Sequence, residues 1–179
     1  MGIFFGSDDG NTERVAALIQ QRLQDLLKPH VLMVDLHDVA NVTQLDFDNY
    51  EFIILGIPTW DFGQIQSDWE EFWDDIGAVD FTGKTVALFG LGDQFGYGDY
   101  FLDAMGMLHN VVAANGAKII GHWSVKGYEY DASKAEINHP VTQERCFVGL
   151  AIDEDQQEEL TESRVSEWCS QLSATIYAR

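Results

Sequence analysis

The run Ile3-Phe4-Phe5-Gly6-Ser7-Asp8-Asp9-Gly10-Asn11-Thr12 passes from a short apolar stretch, through small and polar residues, into a segment where Val15, Ile19, Leu23 and Leu26 recur at helical spacing. That order reads as a strand, a small-residue loop and a helix over residues 11 to 28. The first turn of a helix leaves N–H groups without partners and carries the positive end of its dipole, so the junction is an anion site that needs no lysine. It lacks the Gly-Lys-Ser/Thr ending of a nucleoside-triphosphate loop and the glycine spacing of a dinucleotide fingerprint, which favours a monophosphate ester over ATP or NAD. Small polar residues in this position also serve as a plain helix cap.

Further along, Val31-Leu32-Met33-Val34, Phe52-Ile53-Ile54-Leu55, Thr85-Val86-Ala87-Leu88-Phe89 and a segment opening Lys118-Ile119-Ile120-Gly121 read as strands. Between them, Ser67-Asp68-Trp69-Glu70 has capping-box spacing, and Trp69, Phe72, Trp73 and Ile76 form the inner face of the helix it opens. Phe101, Met105, Leu108 and Val112 line a later helix. Continuous apolar strands alternating with amphipathic helices predict an open α/β sandwich, a parallel sheet covered on both faces. The alternation breaks between Trp123 and Arg145, which reads as an insertion in the last strand, resuming at Cys146-Phe147-Val148-Gly149-Leu150. A closing helix follows, with Thr161 as N-cap, a staple from Leu160 to Val165, and Val165, Trp168, Leu172 and Ile176 facing inward.

The chain has 179 residues, 46% of them hydrophobic, enough to bury one substantial core, and residues 1–179 are expected to form a single domain. The N-terminus has no signal-peptide pattern, and apolar runs fall short of a membrane span, so a cytoplasmic protein is expected. Cys146 and Cys169 form no CxxC pair, and His30, His37, His109, His122 and His139 make no ligand motif, so no metal site is expected. Ten Lys and Arg against thirty Asp and Glu give a net charge of -20, which repels nucleic acids and anionic membranes and suits basic protein partners.

In an open parallel sheet, ligands sit beyond the carboxyl ends of the strands. The anion loop lies at that edge with Pro58-Thr59-Trp60-Asp61-Phe62-Gly63 and Gly90-Leu91-Gly92-Asp93-Gln94-Phe95-Gly96-Tyr97. Each of the two later loops carries an aromatic residue suited to stacking, Trp60 and Tyr97, beside glycine. Aromatics flanking a phosphate site predict a planar ring with a phosphorylated tail, the shape of flavin mononucleotide (FMN). Nothing else in the chain suggests a nucleophile, an acid/base pair or a separate substrate pocket.

These residues resemble the flavodoxins. Ser7-Asp8-Asp9-Gly10-Asn11-Thr12 is similar to their phosphate loop, usually T/S-x-T-G-x-T, and Pro58-Thr59-Trp60 and Gly92-Asp93-Gln94 with Tyr97 are similar to their two flavin loops. The resemblance covers nearly the whole chain and extends to Phe147-Val148-Gly149-Leu150-Ala151-Ile152-Asp153-Glu154-Asp155, while the insertion marks the long-chain group. Gly56 to Gly63 and Phe101 to His109 look closest to the second flavodoxin of enterobacteria-like species.

The resemblance implies a flavodoxin-like three-layer sandwich, a five-stranded parallel sheet of order 2-1-3-4-5, and non-covalent FMN. Ser7, Asp8, Gly10, Asn11, Thr12 and Thr59 would bind the phosphate, and Trp60 and Tyr97 would cover the ring. Leu91, Gly92 and Asp93 would meet the ring edge and ribityl side, the Asp61-Phe62 peptide, between Pro58 and Gly63, would meet flavin N5, and Asp155 would lie near the ribityl chain. Asp9 departs from the pattern, standing where the family usually has Thr, and is expected to face water and weaken FMN binding without abolishing it.

The implied function is a low-potential one-electron carrier moving between semiquinone and hydroquinone. It would act as a monomer between an NADP-linked flavodoxin/ferredoxin reductase and acceptor enzymes with basic surfaces. An FMN-dependent NAD(P)H quinone reductase on the same fold, and a flavin-free interaction protein, remain as other readings of these residues.

Overall fold

The computed structural model describes residues 1–28 and 33–178. In chain order the elements are β1 (Gly2–Phe5), α1 (Asn11–Leu26), β2 (Asp35–Asp38), β3 (Phe52–Trp60), β4 (Gln64–Ile65), α2 (Ser67–Glu71), α3 (Trp73–Ala78) and β5 (Thr85–Leu91). They continue with α4 (Asp103–Ala114), β6 (Lys118–Ile120), β7 (Trp123–Ser124), β8 (Glu136–Asn138), β9 (Arg145–Phe147), β10 (Leu150–Ile152) and α5 (Thr161–Tyr177).

Alternation along the central strands builds two cores, one on each face of the sheet. Ile3, Phe5, Ile54, Ala87, Phe89, Leu91, Leu150 and Ile152 turn towards Val15, Ile19 and Leu23 of α1 and Val165, Trp168 and Leu172 of α5. Phe4, Ile53, Leu55, Ile57, Val86, Leu88 and Ala151 turn the other way, onto Trp69 of α2, Phe72 at the junction of α2 and α3, Ile76 of α3, and Met105, Leu108 and Val112 of α4. Each face holds one fully buried tryptophan whose indole N–H is satisfied, Trp69 donating to the Gly56 carbonyl at 2.8 Å and Trp168 to that of Gly121 at 2.7 Å.

All pairings between the main strands are parallel, with β1 between β2 and β3, and β5 beyond β3. On the far side of β5, β6 pairs with Thr85–Ala87 and β10 with Phe89–Leu91. One strand position is thus filled by two pieces in line, and the expected order 2-1-3-4-5 is the one observed, with helices on both faces. Between the two pieces, β7, β9 and β8 form a separate antiparallel sheet in that order.

Several boundaries differ from the sequence reading. The second strand is Asp35–Asp38. Of the expected Val31–Val34, Met33 and Val34 lie outside any strand, and Val31 and Leu32 fall outside the described residues. Cys146 and Phe147 belong to the antiparallel insertion sheet, and the main sheet resumes only at Leu150. Between them, Gly149 lies so close to the Leu88 carbonyl that a Cβ would stand 2.2 Å from its oxygen. The cap of α2 is Gln66, whose side chain accepts from the Trp69 N–H, in place of the expected Ser67–Glu70 box, and the helix breaks at Phe72 into α2 and α3. Thr161 is the first residue of α5 and not its N-cap; its hydroxyl donates to Glu154.

The insertion is fastened to α4. Buried Asp103 accepts from the Lys134 N–H at 2.8 Å and pairs with its Nζ at 2.8 Å, and a Cβ on Gly106 would lie 2.3 Å from the Lys134 carbonyl oxygen. Gly106→Ala should therefore destabilise the protein by about 1–3 kcal/mol through overpacking. Gly77→Ala, in α3 with open space at its Cβ, should stabilise by about 0.5–1 kcal/mol. Urea unfolding of both variants measures the contrast.

His122 and His139 meet edge to face, ring centroids 4.9 Å apart. Burial, then the neighbouring His139 and His109, push His122 down to about 4. The unfolded chain takes up this proton near 6.5, so the neutral ring's contribution to stability is complete above 6.5 and is lost as pH falls towards 4. Thermal denaturation at pH 7 and pH 5 should show a smaller drop in Tm for His122→Gln than for the parent.

Candidate functional site

At the carboxyl edge of the sheet a cleft of ≈ 240 Å³ opens between the ends of β1, β3, β5 and β10. Its walls are Ser7, Asp8, Asp9, Asn11 and Thr12 from the first loop, Pro58 to Asp61 from the second, Leu91, Gly92, Asp93 and Tyr97 from the third, and Glu154 and Asp155 from the fourth. The structure thus brings together most of the residues singled out from the sequence. Gly10, Phe62 and Gly63 stand beside the cleft without lining it, and Glu154 is a wall residue that sequence reasoning did not select.

The anion loop owes its shape to three local facts. Gly10, with φ 83°, makes the left-handed turn into α1 and donates its N–H to Ser7 Oγ at 3.1 Å. The first helical bond runs from the Arg14 N–H to the Gly10 carbonyl at 2.9 Å, so the N–H groups of Asn11, Thr12 and Glu13 precede the ladder. Asp8 is turned aside: its Oδ1 accepts from Gln66 Nε2 at 2.9 Å and Ser67 Oγ at 3.0 Å. Fully buried Gln66 thereby ties the loop to the start of α2, and a Cβ on Gly6 would stand 2.2 Å from its Oε1. Asp9 is exposed, as expected.

The second segment is a hairpin and not a flexible loop. Pro58, Thr59 and Trp60 belong to β3, and Thr59 and Trp60 pair antiparallel with Ile65 and Gln64 of β4. The turn between them holds Asp61 at φ 42° and Gly63 at φ 86°. A left-handed aspartate is costly enough that the hairpin must hold it in place. Thr59 Oγ1 accepts from the Ala104 N–H at 3.1 Å, joining the hairpin to α4. Phe62, 71% exposed, packs edge to face on Tyr97 at 6.0 Å and on Tyr100 at 5.8 Å, linking the tip to the third loop.

Asp93 organises that third loop. Its Oδ1 accepts from the N–H groups of Phe95 at 2.9 Å and Gly96 at 2.8 Å and from Gln156 Nε2 at 3.1 Å, and the Tyr97 N–H bonds its carbonyl at 3.2 Å. The Gly92 N–H is committed to the Ile152 carbonyl at 3.1 Å.

Two physical features describe what the cleft accepts. Trp60 is half-buried, and its Nε1 is buried without a partner among the described residues, whereas the fully buried indoles of Trp69 and Trp168 are satisfied. A buried polar atom without a partner, on a residue of the cleft wall, calls for a further group beside it, a ligand or an ordered water. The walls also carry Asp8, Asp9, Asp61, Asp93, Glu154 and Asp155 and, among the described residues, no basic side chain. Glu154 pairs with Arg14 and accepts from the Thr161 hydroxyl, while burial, then the proximity of Asp93 and Asp153, raise the Asp155 carboxyl above the usual range. An anion here depends on backbone N–H groups, in a site that otherwise resists negative charge.

The chain covers 97% of its own length and 96% of that of a solved structure, Fusobacterium nucleatum flavodoxin bound to flavin mononucleotide, at 29% identity and a TM-score of 0.86. It is 46% identical over 179 residues to Flavodoxin 1 of Salmonella typhimurium, covering 98% of this chain and 94% of that one. To Flavodoxin 2 of Escherichia coli it is 43% identical over 172 residues, covering 96% and 94%. The identity to Flavodoxin 1 is slightly higher than that to Flavodoxin 2, the one that two local segments suggested, and both likenesses span nearly the whole chain. The flavodoxin family model matches residues 3–168, and the chain belongs to the flavodoxin family.

Proposed function

We propose that this chain holds FMN in the cleft at the carboxyl edge of its sheet and carries electrons between protein partners, with no small substrate of its own. The observation that carries this reading is that Trp60, with its unpartnered indole nitrogen, and Tyr97 line the same cleft as the anion loop. A flat ring stacks between the aromatics, and a phosphate takes the N–H groups at the helix start, which precede the backbone ladder. FMN supplies one-electron redox chemistry when bound.

In this reading Ser7, Asn11 and Thr12, with the N–H groups that follow Gly10, hold the phosphate, joined by Thr59. Asp8 takes part through its backbone, since its carboxylate is engaged by Gln66 and Ser67. Trp60 and Tyr97 cover the ring, the Asp61-Phe62 peptide meets its N5 edge, and Leu91, Gly92, Asp93 and Asp155 serve the ring edge and the ribityl side. The carboxylates around the cleft disfavour added negative charge on the ring, which lowers the potential of the second electron.

Partners with basic surfaces fit the charge. Between Lys28 and Lys118 the sequence has Lys84 as its only lysine or arginine, and this stretch supplies the hairpin and the third loop. An NADP-linked flavodoxin/ferredoxin reductase as donor and reductive enzymes as acceptors are the partners we propose, with association weakening as salt rises. No helix among the described residues is long and apolar enough to cross a membrane. A cytoplasmic location accords with Cys146 and Cys169, both buried free thiols.

Stepwise anaerobic reduction of the FMN-loaded protein should resolve into two one-electron stages in the visible spectrum, with no steady oxidation of NADPH by the protein alone. Direct two-electron bleaching together with NADPH turnover would instead make it a quinone reductase of the same fold. In a second experiment, Asp9→Thr should tighten FMN binding by about fivefold, as removing one water-facing charge near a dianion is worth about 1 kcal/mol. Fluorescence titration of the apoprotein measures this, and unchanged or weaker binding would count against the role given to Asp9.

A further inference from the structure

Behind the cleft wall lies a carboxylate that the ligand-facing residues do not account for. Asp153 is fully buried at the end of β10. Its Oδ2 accepts from the Gln94 N–H at 3.1 Å and from Gln94 Nε2 at 2.7 Å, and its Oδ1 accepts from the N–H groups of Asp155 at 3.1 Å and Gln156 at 2.9 Å. Its own carbonyl takes the Gln157 N–H at 3.1 Å. Gln94 is itself buried, and its Oε1 accepts from the Glu129 N–H of the insertion at 2.6 Å. One side chain therefore holds the loop carrying Asp93 and Tyr97, the loop carrying Glu154 and Asp155, and, through Gln94, the insertion.

We propose that Asp153 is a positioning residue for the ring side of the FMN site, fixing the third and fourth loops against each other and coupling the insertion to both through Gln94. The inference rests on the assignment of the third loop to the flavin ring. A buried carboxylate saturated by N–H donors is a rigid node, since releasing any one bond leaves an unpaired group away from water. The anion loop has its own anchor, Gln66, on the far side of the cleft, and meets the fourth loop only through the half-exposed Arg14–Glu154 pair among the described residues.

The test titrates apoprotein with FMN and with riboflavin, which lacks the phosphate. Asp153→Asn keeps the shape but turns one acceptor into a donor facing N–H groups. It should weaken both ligands by the same factor, about tenfold, and leave the affinity for inorganic phosphate unchanged. Removing a negative charge near FMN would by itself tighten binding, so the sign separates positioning from electrostatics. Gln94→Met, which keeps the backbone bond to Asp153 and removes the side-chain ones, should weaken both ligands to a smaller extent and speed amide exchange at Glu129. It carries the test if Asp153→Asn does not fold. A lowered Tm with unchanged affinities, or a loss confined to FMN, would overturn the proposal. Trp60→Ala in the same titration checks the ring site itself: riboflavin binding unaffected by that change would refute the site assignment, apart from any result at Asp153.

Discussion

Everything at the cleft depends on the register of one row across the sheet. Phe5 of β1 lies beside Gly56 of β3, Gly56 beside Phe89 of β5, and Phe89 beside Leu150 of β10. The row works because Gly56 has no side chain: a Cβ there would stand 2.1 Å from the Phe89 ring, which occupies that space. A slip of one residue in any strand would turn its apolar set to the opposite face, so the row is held by both cores at once. With it fixed, β1 ends at the row, β5 and β10 end two residues beyond it and β3 four residues beyond it, and the loops that follow converge on one cleft.

Much of this was legible because it is local. The helix of Val15, Ile19 and Leu23, the apolar strands Phe52–Leu55 and Thr85–Phe89, and the inward face of α5 all declare themselves by periodicity, and each is where the pattern puts it, except that α1 stops at an exposed Leu26 and buries Leu27 instead. The second strand was not legible because it is an edge strand of polar, half-buried residues, Asp35-Leu36-His37-Asp38, lying after a more apolar stretch. The apolar run from Cys146 to Leu150 concealed a change of sheet, since hydrophobicity does not say which neighbour a strand pairs with.

At the site, sequence disclosed the residues that would face a ligand and not those that hold them. Trp60, Tyr97 and the Ser7–Thr12 loop carry their meaning in a short window. Gln66 and Asp153 do not: Gln66 meets Asp8 across 58 positions, and Asp153 meets Gln94 across 59. A buried amide or carboxylate that bonds a distant segment leaves no periodic trace. Phe147–Asp155 was visible as a segment, yet the burial of Asp153, the place of Glu154 between Arg14 and Thr161 and the exposure of Asp155 follow only from the turn after β10.

The margins of the sheet bear on how the molecule behaves in a crowded solution. Any open parallel sheet has two outer strands whose unpaired backbone groups can recruit another chain. Here one margin is β2, where Asp35 and Asp38 would oppose their own counterparts in a second copy. At the other, Tyr128 of the insertion donates its hydroxyl to the Ala151 carbonyl of β10 at 2.7 Å, with the Arg164 guanidinium 4.2 Å over its ring. One border is guarded by like charge and the other by a side-chain cap, so the architecture resists edge-to-edge stacking while the cleft at the ends of its strands stays open to encounter.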